Sequence, residues 1–334
     1  MGSRVLDELK FMKSARREAS QETFGIIKFG ANLMTIVILS RGKCGLSKCI
    51  TRYLVAMAAA DLFFIIFDVI LNVINNIHFP NSFLNYTPVC SLILILSFAS
   101  IDCSVWLTVA FTFDRFVAIC CQKLRVKYCT EKTAAVVIAT VCVLNCLEDI
   151  PSYFTFAPQE LIDNESWFCT VKSSFYTSPV WVAIHWFDII LTPFAPFVLI
   201  LLFNALTIRH ILMTSRIRRG LRAKNNSENH KDPEMESRRK SIILLLSISG
   251  SFILLWFITL TYFICVQIID FQLMLADYSD PLIIMEQTGY MLQSLSSCTN
   301  TFIYAVAQNK FRGELKNVIK YPFHQIINSV KRFK

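Results

Sequence analysis

Seven stretches of predominantly apolar sequence, each long enough to cross a bilayer, alternate with short polar segments along this chain. A run of about 18 or more apolar residues crosses as a helix, because a helix satisfies its own backbone hydrogen bonds where lipid offers none. The spans read as Glu22–Ser40, Tyr53–Ile77, Val89–Cys121, Ala134–Pro151, Val180–His210, Ser241–Ile268 and Leu282–Val306. They predict an all-α fold: a seven-transmembrane helix bundle over residues 22–306, preceded by a segment 1–21 and followed by a tail 307–334. Two soluble domains would also suit 334 residues, but a composition of 54% hydrophobic and 17% charged residues argues against them.

The net charge of +9 raises nucleic acid as a partner. The positives form no stripe interleaved with stacking aromatics, so that partner is set aside. They gather in alternate polar segments. Arg41, Lys43, Lys48 and Arg52 follow span 1, and Lys123, Arg125, Lys127 and Lys132 follow span 3. Arg216, Arg218, Arg219, Arg222, Lys224, Arg238, Arg239 and Lys240 follow span 5, and Lys310, Arg312, Lys316 and Lys320 lie in the tail. Between spans 4 and 5 only Lys172 occurs. Cytoplasmic loops carry the excess of Lys and Arg. The tail is therefore expected inside, the N-terminus outside, and the chain in the plasma membrane. Cys90 and Cys169 then fall on the outer, oxidising side, where a disulfide persists. The sequons at Asn85 and Asn164 fall there too and are candidate glycosylation sites. Residues 1–21 fit this scheme less well, with five Lys or Arg, and read as an unusual start or an alternative first exon. Lys28, inside span 1, is expected to snorkel to the interface.

Each ionisable side chain in a membrane helix needs a polar partner. Here they include Asp61, Asp68, Asp102, Asp114, Arg115, Glu148, Asp149, Asp188 and Glu286. Asp61 lies mid-span, at the depth of Asn32, Ser104, Ser297 and Asn300. Their oxygens suit one small cation, or else form a hydrogen-bonded polar plug. Asp114 and Arg115 end span 3. Ser104 and Ser97 lie eleven and eighteen residues before Arg115, on the same helical face. One stripe thus links an outer cavity, the mid-membrane cluster and the charged helix end. Asn300 and Tyr304, four apart, share a face of span 7. Beyond them Phe311, Leu315, Val318 and Ile319 line one side of a segment rich in Lys and Arg, the pattern of a short amphipathic helix on the inner leaflet. A basic, solvated tail is the alternative.

Together these residues resemble the rhodopsin-like (class A) G-protein-coupled receptor family, from about Phe29 to Phe311. The resemblance is carried by Asn32, the Ala-Ala-Ala-Asp ending at Asp61, Cys90 placed 25 residues before Arg115, and the Asp-Arg-Phe triplet. Cys169, Pro196, Trp256, and Asn300 and Tyr304 followed by Phe311-Arg312 complete it. The phrases Val-Ala-Met-Ala-Ala-Ala-Asp-Leu and Asn-Thr-Phe-Ile-Tyr are similar to a peptide-receptor-like brain orphan subgroup. The resemblance implies an extracellular peptide or small-molecule ligand, a heterotrimeric G protein as partner, and no enzymatic activity. It implies no cofactor beyond an allosteric sodium ion at Asp61, Ser104, Ser297 and Asn300. It also implies that Asp114, Arg115, Asn300 and Tyr304 form the switch, that Trp256 sits under the ligand, and that Cys90 and Cys169 clamp the outer loop. The chain departs from the family at Ile258 and Thr301, where prolines are usual, and at Phe116 and Asn204, where tyrosines are. Arg238 stands near the place of an acid that faces Arg115 in some members.

Ser97 stands where amine receptors carry an aspartate, which argues against a monoamine ligand. Asp68, Asp102, Asp188 and Glu286, with His185 nearby, predict an acidic pocket for a ligand's cationic group. Hydrogen bonding of these acids between helices is the alternative. Phe98, Ile101, Trp186, Trp256, Thr259 and Tyr290 are candidate lining, and core packing is the alternative for each. A transporter or channel is disfavoured by the lack of repeats and broken helix pairs. An enzyme is disfavoured by scattered histidines without a nucleophile constellation, and a retinal photoreceptor by the absence of lysine from span 7. A receptor-like protein that does not signal is the rival reading.

Overall fold

The computed structural model describes residues 23–162, 164–224, 233–268, 281–318 and 320. The segment 1–21 and most of the tail therefore lie outside the described residues. Local chemistry sets where the helices start and stop. α1 (Thr23–Ser40) ends just before Gly42, whose φ of 69° glycine adopts without strain. Ser47 accepts a hydrogen bond from the Ile50 amide and opens α2 (Lys48–His78). Pro88 lies in the first turn of α3 (Thr87–Cys120), and Thr130 caps α4 (Glu131–Glu148). α5 runs over Pro179–Ile189 and again over Ala195–Lys224. Between the two parts Thr192 leaves helical geometry, with φ −144° and ψ 114°, because Pro193 excludes its predecessor from the helical region. The break thus lies at Pro193. α6 (Pro233–Ile268) and α7 (Pro281–Ala307) both open on proline.

Six of these helices are long and apolar enough to cross a membrane; α7 is the one that falls short by composition. Gln287, Gln293, Ser294, Ser296, Ser297, Asn300 and Thr301 lower its hydropathy. At 27 residues, or about 40 Å of rise, it is nonetheless long enough to span. Several of its polar groups are turned onto α1 and α2. α2, α5 and α6 extend past the apolar spans, where polar turns need no lipid.

Lipid tails are as apolar as leucine, so close packing and interhelical hydrogen bonds must hold the bundle. At the Arg115 end Tyr53, Leu54, Met57, Leu107, Phe111, Leu244 and Tyr304 form one buried core. Nearer the disulfide, Val105, Val109, Ile200, Phe252 and Trp256 form another. Gly289 lets α7 lie against α6: a Cβ there would sit 3.2 Å from the Thr259 Cα. α8 (309–318) buries Phe311 against Tyr304, ring centroids 5.8 Å apart, and lays Leu315 and Val318 on the same core. Its apolar side is thus used by the bundle itself.

The connection between α4 and α5 carries short strands. β1 (Phe156–Ala157) pairs antiparallel with β4 (Thr170–Val171), and β2 (Glu160–Ile162) with β3 (Glu165–Trp167). Asn164, at the tip, has φ 67° and is exposed. Cys169, between β3 and β4, is disulfide-bonded to Cys90 in the first turn of α3.

Asn85 does not keep its place beside Asn164 as a glycosylation site. Its side chain is buried, donates to the carbonyls of Phe79 and Pro80 at 3.2 and 2.8 Å, and accepts from Asn75 at 2.6 Å. A glycan on Nδ2 would take the place of one donated hydrogen and would have no room at this buried side chain. In cell membranes, glycosidase treatment is expected to shift the wild-type chain and Asn85→Gln on a gel but not Asn164→Gln; a shift lost only in Asn85→Gln would contradict this packing.

Candidate functional site

Side chains of α2, α3 and α7 converge on Asp61 in the middle of the bundle. Ser104 donates to Asp61 Oδ1 at 2.6 Å, and Asn300 lies against the same carboxyl. Asp61 is buried, and its Oδ2 has no hydrogen bond. A carboxyl group in this state needs a proton, a water or a cation. A cavity of about 30 Å³ opens beside it, lined by Asp61, Ser104, Ser297 and Asn300 together with Phe252 and Trp256. That volume suits one small particle, and the all-oxygen donor set suits a hard cation. Asn32 has a different task from the one read in the sequence. Its Nδ2 donates to the carbonyls of Ser297 and Lys28, at 2.8 and 3.2 Å, and ties α1 to α7. Thr301, in the place of the usual proline, pairs with Thr35 at 2.7 Å and reaches the Ala31 carbonyl at 3.2 Å.

At the far end of α3, Asp114 holds Arg115. Arg115 donates from Nε at 3.0 Å and from Nη2 to Asp114 Oδ2, in an ion pair with both side chains almost fully buried. Cys49 donates to the other carboxylate oxygen at 3.2 Å, and the guanidinium lies 6.0 Å from the Phe111 ring. The Cys129 thiol, in the turn before α4, donates to the Asp114 carbonyl at 3.6 Å. Burial, and then the Asp114 charge, push that thiol up to about 12, so it stays protonated at neutral pH. Tyr304 is buried nearby with no partner for its hydroxyl. An orphaned buried hydroxyl costs about 1–3 kcal/mol. The arginine is therefore satisfied in this arrangement and the tyrosine is not. The side chain of Arg238 lies outside the described residues.

The acids expected to share one outer pocket do not meet. Asp68 lies on a π-helical stretch of α2, Ile65–Ile74, and accepts a short hydrogen bond from Tyr290. Lys28 is the positive charge that acts on it. Lys28 does not snorkel: it is buried and donates to Ser294 of α7. The interior offers it a hydroxyl and a carboxylate, which outweigh a longer reach to the interface. Asp102 stands two residues from Ser104, on nearly the opposite face of α3. It groups with Glu148 and Asp149, and Asp188 faces Glu148. Glu286 is exposed on α7. Ser97, Trp256 and Thr259 are buried, with Trp256 stacked on Phe252 at 5.3 Å, and Ile101 lines the central cavity. Phe98 and Trp186 are exposed, and His185 meets Phe175 at 5.3 Å. Lys28, Glu148 and Asp149 were visible in the sequence as charges within apolar runs; their partners were not.

Among known families, the model described as "7 transmembrane receptor (rhodopsin family)" matches residues 31–304. A Caenorhabditis elegans protein named "Probable G-protein coupled receptor npr-8" is 33% identical over 113 residues, covering 28% of this chain and 22% of that relative. The chain thus spans under a quarter of the length of that relative.

The Lys28–Asp68 relation can be measured in the purified chain. Lys28→Met and Asp68→Asn are each expected to lower thermal stability, and the double change to lower it by less than their sum, with a coupling of about 0.5–3 kcal/mol. Strict additivity would show that the two side chains do not act on each other.

Proposed function

The chain belongs to the rhodopsin family of seven-transmembrane receptors, and from that premise we propose that it binds an extracellular ligand at the disulfide end and activates a heterotrimeric G protein at the Arg115 end. As a member it is a multi-pass membrane protein and a receptor, not an enzyme. The orientation we infer places the N-terminus outside and the tail in the cytoplasm of the plasma-membrane protein, on the distribution of Lys and Arg.

One observation carries the reading. The central cavity is lined by Trp256 and Asp61, and buried Thr108 and Thr112 lead along α3 from it to the Asp114–Arg115 pair. The pair is closed while the Tyr304 hydroxyl is unpartnered. This suits a resting state: release of Arg115 from Asp114 frees a fork of donors for a partner protein, and movement of α7 gives Tyr304 an acceptor. A sodium ion held by Asp61, Ser104, Ser297 and Asn300 would favour the resting state, because any shift of α7 pulls Ser297 and Asn300 off it.

The ligand in this proposal is a peptide or a small amino-acid-like molecule, read on α3, α6 and α7 by Ser97, Ile101, Trp256, Thr259 and Tyr290. Asp68 is the acid placed to receive a cationic group, in competition with Lys28. Phe98, His185 and Glu286 are peripheral to this reading. The second reading, a receptor-like protein that does not signal, draws on Ile258, since α6 runs unbroken from Pro233 to Ile268 where a proline would kink it.

Nucleotide exchange on G proteins in membranes carrying the chain, with and without a library of peptides and amino-acid derivatives, decides between them. Exchange above background is expected, is lost in Arg115→Ala at unchanged surface level, and is lowered by sodium in the wild type but not in Asp61→Asn. Background exchange under every condition, with normal surface staining, would favour the silent protein.

A further inference from the structure

Away from the seam, four carboxylates from three helices meet where α3, α4 and α5 pack. One oxygen each from Asp102, Glu148 and Asp149 lies within 4.8 Å of the others. Asp188 faces Glu148, and Thr192, where α5 leaves helical geometry, lies beside Asp102. Asp149, which brings one carboxylate oxygen into the group, is 7% exposed, and its Oδ2 is buried with no hydrogen-bond partner. Glu148 Oε2 is likewise buried and unpartnered. The charges acting on Asp149, those of Glu148 and Asp188, are both negative. No ion pair among the described residues includes any of the four acids.

Carboxylates this close repel one another, and lipid-embedded helices offer little water to screen them. Something positive must sit among them whenever more than one is ionised. We propose that the group formed by Asp102, Glu148, Asp149 and Asp188 is a divalent-cation site of the calcium class. An ion with oxygens at about 2.3–2.6 Å places opposed ligands up to about 5 Å apart, which the spacing here satisfies. All donors are oxygens, the set that suits hard cations over zinc or copper. The donors come from separate helices and one irregular turn. That arrangement suits the loose coordination of calcium better than the strict octahedron of magnesium. Occupancy would tie α3 and α4 to the break in α5. In the orientation proposed above the site lies toward the outside, where free calcium is available; the chemistry of the site does not depend on the receptor reading.

Radiolabelled calcium binding to the full chain in phosphatidylcholine nanodiscs tests the site directly. One saturable calcium per chain is expected, with a Kd on the order of 10⁻⁴–10⁻³ M, the range of extracellular calcium modules. It should be lost when Glu148→Gln and Asp149→Asn are combined and kept in Asp61→Asn. Calcium should raise the melting temperature of the wild type but not of the double variant. If the double variant fails to fold, Asp188→Asn alone is expected to weaken calcium binding by about tenfold, as loss of one charged ligand would. No saturable binding to the wild type, binding that survives in the double variant or is undiminished in Asp188→Asn, or displacement by magnesium as readily as by calcium would overturn the proposal. Nucleotide exchange assayed on the same preparation separates such a failure from failure of the receptor reading.

Discussion

A polar side chain inside a bilayer must find its partner within the protein, and this requirement arranges nearly everything in the bundle. α7 is the clearest case. By composition it is the poorest membrane helix of the seven, yet the side chains of Ser294, Asn300 and Thr301, and the backbone carbonyl of Ser297, face α1 or α2 and meet Lys28, Asp61, Thr35 and Asn32 there. The hydroxyls and amides that would make it soluble elsewhere bind it to its neighbours here. Apolar packing fills the space between these contacts, but in lipid it cannot choose one face of a helix over another with comparable force.

The same requirement identifies where the structure is at rest and where it is poised. Asp114, Arg115 and Cys49 are buried and satisfy one another. Tyr304, a few residues from the end of α7, is buried with nothing to bond, and Asp61 keeps an oxygen free beside a cavity of one particle's size. Groups left unsatisfied in one arrangement supply the driving force toward another. The seam thus has two unequal ends: a closed ion pair at the helix terminus and an open cavity at mid-depth, both on the α3 face that carries Ser104. Thr301 gives α7 a further tie to α1 that a proline would not provide, since its hydroxyl reaches both Thr35 and Ala31.

Much of this was legible in the sequence, for a reason that holds residue by residue. Six of the spans follow from hydropathy and α7 from its length, and the stripe of Ser97, Ser104 and Arg115 follows from helical geometry. The cluster about Asp61 follows from depth. What escaped depends on which neighbour a side chain turns to. Lys28 sits near a helix end, where the interface and the interior both accept a lysine; only Ser294 and Asp68 decide it. Asp102 is legible as facing away from the seam, since two residues from Ser104 put it on the other face of α3. Its companions Glu148 and Asp149 were recognisable only once α4 was placed. The Asn85 sequon is a local pattern, whereas its burial depends on Asn75 and two carbonyls. The strands of the loop are two or three residues long, too short for any alternation to show.

Transmission through Arg115 would change the distance across the Arg115 end of the bundle, and that distance can be measured. Spin labels introduced as non-natural amino acids at Lys123 and Arg239, which avoids the ten free cysteines, report the separation of the ends of α3 and α6. Adding nucleotide-free heterotrimeric G protein should lengthen that distance in the wild type and leave it unchanged in Arg115→Ala. An identical distance with and without G protein in the wild type, or the same lengthening in the variant, would contradict the account.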